Sequence, residues 1–123
     1  MPNVPANGER EERIAMEVIV DAYVPEEQAL GWYTYLEEHL TFPFSTRCVA
    51  KRAISPLQVG DDVEIVGMAP QEECAHETFV ETPWGHASTL AVSLSQIQGS
   101  HLDEETRQAV EDWHYWVARG NEL

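Results

Sequence analysis

Val59-Gly60-Asp61-Asp62-Val63-Glu64-Ile65-Val66-Gly67-Met68 decides the fold class. Gly60-Asp61-Asp62 has the composition of a turn, because glycine supplies a positive φ and aspartate side chains bond nearby backbone. Val63, Ile65 and the residues around them then alternate apolar with polar, the period of a half-buried strand. Two further strands are expected, Thr78 to Thr82 and Ala87 to Leu94, joined by the turn Pro83-Trp84-Gly85-His86. Upstream, Cys48 to Ile54 alternates more loosely, and Ser55-Pro56-Leu57 breaks that run. Short strands at this spacing imply a small antiparallel barrel or curled sheet over residues 45–98. A Gly-Asp turn feeding Val-Glu-Ile-Val is the opening of an SH3-like barrel, with a 3₁₀ turn expected at Leu94-Ser95-Gln96-Ile97.

Outside this unit the period changes to that of a helix. From Glu9 to Tyr23, Ile14, Val18 and Ala22 recur at helical spacing, with Ala15 and Ile19 beside them. Pro25 to Leu40 carries Ala29, Tyr33, Leu36 and Leu40 on one face, widened by Trp32. Gly31 marks a close approach to a neighbour, and Phe42-Pro43-Phe44 ends the pair over residues 9–41. Residues 103–119 form the last helix. Asp103 is its N-cap, acids fill its first turn, and Ala109, Val110, Trp113, Trp116 and Val117 are its apolar stripe. Residues 1–8 read as a flexible lead. The expectation is one α+β domain over residues 1–123: an N-terminal helical hairpin, an SH3-like β unit and a C-terminal helix.

Charge narrows the function. The 123 residues hold 22 Asp and Glu against 7 Lys and Arg, a formal net charge of −15. Between Arg52 and Arg107 there is no lysine or arginine, yet ten carboxylates lie there, from Asp61 to Glu105. Such an excess strains the compact state by self-repulsion and disfavours nucleic acid as a partner. A metal cation is the simplest counter-charge. No apolar run approaches a membrane span, and the N-terminus lacks the basic and apolar regions of a signal peptide. The chain is therefore expected in the cytoplasm, with Cys48 and Cys74 as free thiols.

Several acid clusters have ordinary explanations. Glu26-Glu27 opens a helix, Glu11-Glu12 and Glu37-Glu38 fit solvated helix faces, Asp103-Glu104-Glu105 is helix capping, and Asp61-Asp62 is turn chemistry. Glu72-Glu73, in the loop Ala69-Pro70-Gln71-Glu72-Glu73-Cys74, is explained least well. No twelve-residue EF-hand loop is present, so a calcium site has to be assembled from separate segments. Cys74-Ala75-His76, with His86 or His101, is a weak zinc signal. No nucleophile elbow, triad signature or phosphate-binding glycine loop appears, and no enzymatic activity is expected.

Particular strings carry a resemblance. Arg10-Glu11-Glu12-Arg13-Ile14, Val20-Asp21-Ala22-Tyr23, Gly31-Trp32-Tyr33 with Leu36, Phe42-Pro43-Phe44, Ser55-Pro56-Leu57, Gly67-Met68-Ala69-Pro70, Glu72-Glu73-Cys74, Leu90-Ala91-Val92 and Asp112-Trp113-His114-Tyr115-Trp116 resemble, in order, the CcbP family of cyanobacterial calcium-binding proteins. The resemblance implies an acidic, non-EF-hand protein that binds Ca2+ and buffers or sequesters it in the cytoplasm, in a setting of calcium signalling. Among the acids, Glu72 and Glu73 are the expected ligands, followed by Asp61 and Asp62 and then Asp103. The alternative is an acidic interaction module whose partner is a basic protein.

Overall fold

The computed structural model describes residues 6–121 and 123. Among them, α1 (Gly8–Arg13), α2 (Pro25–His39) and α3 (Glu104–Ala118) pack around two small sheets built from β1 (Phe44–Cys48), β2 (Asp62–Ile65), β3 (Gly67–Met68), β4 (Phe79–Pro83), β5 (Thr89–Ser93) and β6 (Ile97–Gly99). The architecture is α+β, as expected.

The sheets are antiparallel, in the orders β2-β1-β6 and β3-β4-β5. Val63 and Ile65 of β2 point inward while Asp62 and Glu64 point outward, the alternation read from the sequence. A single residue, Val66, separates β2 from β3, and its N–H donates to Glu81 O at 2.8 Å. One extended stretch thereby serves both sheets. The 3₁₀ turn before β6 spans Leu94–Gln96. The two sheets do not close into a barrel; with strands of two to five residues the unit stays a curled pair.

The first strand lies earlier than the loose alternation from Cys48 to Ile54 suggests. Phe44, Thr46 and Cys48 alternate inward directly after the cis Phe42-Pro43 bond. Val49 leaves the ladder, and Lys51 and Arg52 lie in the loop beyond it.

Helix α1 also departs from expectation. Asn7 caps it by accepting from Arg10 N at 3.0 Å, and its own N–H donates to Tyr115 Oη at 2.9 Å. The end of the expected lead is thus tied down at Asn7, and Gly8 is already helical; residues 1–5 of that lead lie outside the described residues. The chain then passes through a π turn, Ile14–Val18, and leaves the helix at Ile19, not at Tyr23. The β-branched run Val18-Ile19-Val20 resists helix. Asp21, with φ 59°, turns the chain in the left-handed region that short polar residues tolerate.

Gly31 of α2 is where the hairpin closes, because a Cβ there would overlap the Val18 carbonyl oxygen. Trp32 and Leu36, both fully buried, form the centre of the α2 face, and Tyr33 lies at its edge. Trp32 meets Trp113 edge-on at 5.2 Å between centroids and Trp116 at 5.5 Å. This aromatic cluster joins α2 to α3, and Ile65, Val80, Val92, Leu94 and Ile97 extend the same core into the sheets.

Candidate metal centre

The acids of the base-free stretch divide by what they touch. The flanking arginines reach into it. Arg52 Nη1 lies 2.8 Å from both oxygens of Glu77, which also accepts from Ser93 Oγ at 2.6 Å. Arg47 stands 3.5 Å from Asp62 at the exposed start of β2. Arg107 pairs with Glu104, and Glu105 shares a hydrogen bond with His39 at 2.7 Å. Tertiary structure therefore supplies pairing that sequence distance concealed.

Two expected ligands have local duties. Asp61 accepts from Gln58 N at 2.8 Å and closes the Gly60 turn. Asp103 accepts from Thr106 N at 2.7 Å as N-cap of α3. Those hydrogen bonds, chiefly from the Thr106 backbone, hold its carboxyl below the usual range. The pair judged least explained, Glu72 and Glu73, lies exposed on a 3₁₀ turn, Gln71–Cys74, opened by Pro70. Neither forms an ion pair among the described residues, and the same holds for Glu64 and Glu81. Nowhere among the described residues are three Asp, Glu, His or Cys side chains gathered tightly enough to hold a metal ion. Asp61-Asp62, Glu72-Glu73 and Asp103 accordingly occupy separate places and do not form one group.

The nearest convergence surrounds Tyr33, whose hydroxyl donates to Ala69 O at 3.0 Å. Partial burial and then the negative fields of Glu37, Cys74, Glu72 and Glu81 push the Tyr33 phenol above its ordinary range. These groups come from different elements: Glu37 from α2, Glu72 and Cys74 from the 3₁₀ turn, and Glu81 from β4. An open groove of about 440 Å³ lies between α2 and the turn, with Glu26, Glu72 and Cys74 among its walls but not Glu37 or Glu81. Glu37 and Glu81 were not singled out by sequence reasoning. Glu37 looks like one more solvated helix acid and Glu81 like an outward strand residue, and only the packing of α2 on the 3₁₀ turn and the pairing of Glu81 with Gly67 in the β3–β4 ladder relate them to Glu72.

The oxygens here are carboxylates with a nearby backbone carbonyl, the hard donors that calcium selects. The soft alternative is poorly provided. Burial pushes the Cys74 thiol up, its sulfur engages the backbone of Phe79 at 3.5 to 3.6 Å, and His76 is exposed.

The class defined by these features is an acidic α+β protein with unpaired oxygen donors presented from a short turn, a helix face and a strand. The chain belongs to the CcbP family of calcium-binding proteins, whose profile, described as calcium binding, matches residues 12–117. It is a family of binding proteins and not of enzymes. The crystal structure of CcbP from Anabaena is 38% identical, covers 100% of both chains and superposes with a TM-score of 0.87. A calcium-binding protein in its calcium-binding form is 37% identical over 100% of both chains, with a TM-score of 0.85. No curated protein gives a significant match.

Proposed function

We propose that this chain binds calcium without catalysing a reaction, and that it buffers or sequesters the ion in the cytoplasm. Membership of a calcium-binding family carries the choice of ion. The unpaired carboxylates around Tyr33 support the choice of place. In this reading Glu72 is the central ligand, Glu73 flanks it, and Glu37 and Glu81 are the helix and strand acids that move in to complete an oxygen shell when the ion binds. Closure of these side chains around the ion offsets repulsion that the metal-free chain leaves unrelieved. Asp61, Asp62 and Asp103 serve as secondary acids, since turn closure, a weak ion pair and helix capping already employ them.

Affinity on the order of 10 μM falls within the range of sensor sites. At ~1 mM calcium, about 100 times that Kd, folding gains about 2.7 kcal/mol. With the usual unfolding entropy per residue, this shifts the melting temperature of a chain of this length by about 10 °C. Thermal unfolding in EDTA and then in ~1 mM calcium tests the proposal. A rise of that order supports it; equal melting temperatures, with no heat in titration calorimetry, refute it.

A further inference from the structure

Exposed apolar side chains are unevenly spread over this molecule. Of the ten large ones among the described residues, five lie between Met16 and Leu30: Met16, Val20, Tyr23, Val24 and Leu30. Single exposed apolar residues are ordinary, whereas a concentration of them rimmed by polar groups marks an interaction site. These five lie around the tip of the hairpin, where the π turn gives way to α2. Tyr23 is the extreme case, at 84% exposure.

The tip is held in one shape. Asp21 reverses the chain with φ 59°, Ala22 N–H donates to Ile19 O at 3.1 Å, and the backbone of Val18 lies directly against Gly31. The Glu27 carboxylate accepts from Tyr23 N–H at 2.8 Å, which fixes Tyr23 beside the first turn of α2. Leu30 follows one turn along that helix, next to Glu26 and Glu27 by i+4 and i+3 spacing. A surface already ordered, with an aromatic anchor at its centre, loses little freedom on binding. Leu30 continues it into the groove between α2 and the 3₁₀ turn, where Ala29 and Ala75 add apolar wall.

Charge selects what can cover this surface. From Ile14 to Thr46 the chain has no lysine or arginine. The exposed acids Glu17, Asp21, Glu26 and Glu27 alternate with the five apolar residues, and none of them forms an ion pair among the described residues. A second copy of a chain of net charge −15 would bring acids against acids, and a phosphate-rich surface meets the same repulsion. A basic helix with one apolar face complements both the apolar residues and the acids.

We propose that the hairpin tip docks a basic amphipathic helix of a protein partner. Its apolar stripe covers Val20, Tyr23, Val24 and Leu30, and its lysines or arginines meet Glu17, Asp21, Glu26 and Glu27. None of these acids is among the ligands assigned to calcium, so the two readings stand or fall separately.

The probe is a synthetic amphipathic helix of leucine and lysine, titrated in EDTA into the ¹⁵N-labelled protein. A peptide of the same composition in scrambled order is the comparator. The helix should give saturable shifts centred on the amides of Val20, Tyr23, Val24 and Leu30. Tyr23→Ser/Leu30→Ser should weaken it about tenfold, as loss of an aromatic anchor does. Both side chains are exposed, so the circular dichroism spectrum should not change. Glu26→Gln/Glu27→Gln should weaken binding and flatten its salt dependence, whereas Glu9→Gln/Glu12→Gln, equal in charge but on α1, should change it far less. Shifts that are absent or spread over the whole acidic surface, equal affinity for the scrambled peptide, or equal losses from the two charge pairs would overturn the proposal.

Discussion

Asp112→Asn should destabilise this protein more than any other single neutralisation of an acid. Asp112 is fully buried on α3 and accepts four hydrogen bonds: from Arg10 Nη1 at 2.9 Å, Arg13 Nε at 2.8 Å, Arg13 Nη2 at 2.7 Å and Tyr35 Oη at 2.9 Å. Asparagine keeps the shape but offers one acceptor oxygen and turns an N–H₂ toward arginine N–H groups that only donate. Breaking a buried ion pair from one side costs roughly 3–5 kcal/mol. The arginine side chains keep 22% and 17% exposure and can recover some hydration, which places the loss near the lower end, at about 3 kcal/mol. At the usual unfolding entropy per residue, this lowers the melting temperature of a chain of this length by about 12 °C. Urea unfolding followed by tryptophan fluorescence and far-ultraviolet circular dichroism measures the loss, with Glu111→Gln as the exposed neighbour expected within about 0.5 kcal/mol of wild type. A double-mutant cycle with Arg13→Gln should show strong coupling. A loss below about 1 kcal/mol, typical of exposed pairs, would mean that the cluster does not hold α1 to α3.

Gly31→Ala should cost about 1–3 kcal/mol in the same assay, because the added methyl meets the backbone of Val18 and not a movable side chain; an unchanged midpoint would show that the hairpin can shift. Calcium should lower the pKa of Tyr33, since a cation cancels the carboxylate field that helps raise it. Absorbance titration at high pH in EDTA and in calcium should differ, and Tyr33→Phe should erase the difference. On the acid side, the depressed Asp103 carboxyl contributes stability above its unfolded pKa and loses it as pH falls through the lower folded value. Asp103→Asn should flatten that part of the pH–stability curve. The depressed His114 acts in the neighbouring window: below its unfolded pKa near 6.5 the unfolded chain takes up the proton first, and stability falls.

Elements with one strong period were legible in the sequence. The α3 stripe, the cap at Asp103, the inward Val63 and Ile65, the 3₁₀ turn before β6 and the close approach at Gly31 are set by neighbours a few residues apart. Asp112 was not legible, because beside Glu111 it reads as a solvated acid pair, whereas Arg10, Arg13 and Tyr35 reach it from distant parts of the chain. The strand at Phe44 was hidden by its aromatic and proline neighbours, and the early end of the first helix by an apolar spacing that persists after helical geometry has stopped. For the acids, the sequence isolated Glu72 and Glu73 as poorly explained, but not Glu37 and Glu81, which approach Tyr33 only through tertiary packing. It also overstated the unpaired charge, since Arg47, Arg52 and Arg107 reach Asp62, Glu77 and Glu104 from outside the stretch.

The most direct test of calcium binding at the carboxylates around Tyr33 is titration calorimetry of calcium into the wild-type protein, Glu72→Gln/Glu73→Gln, and Glu9→Gln/Glu12→Gln. Both variants remove two negative charges, the first from the 3₁₀ turn and the second from the exposed face of α1. The predicted result is saturable binding by wild type on the order of 10 μM, at least tenfold weaker binding after the turn substitutions, and little change after those on α1. Equal weakening by both variants would show that only diffuse charge matters, and the assignment to this place in the fold would be wrong.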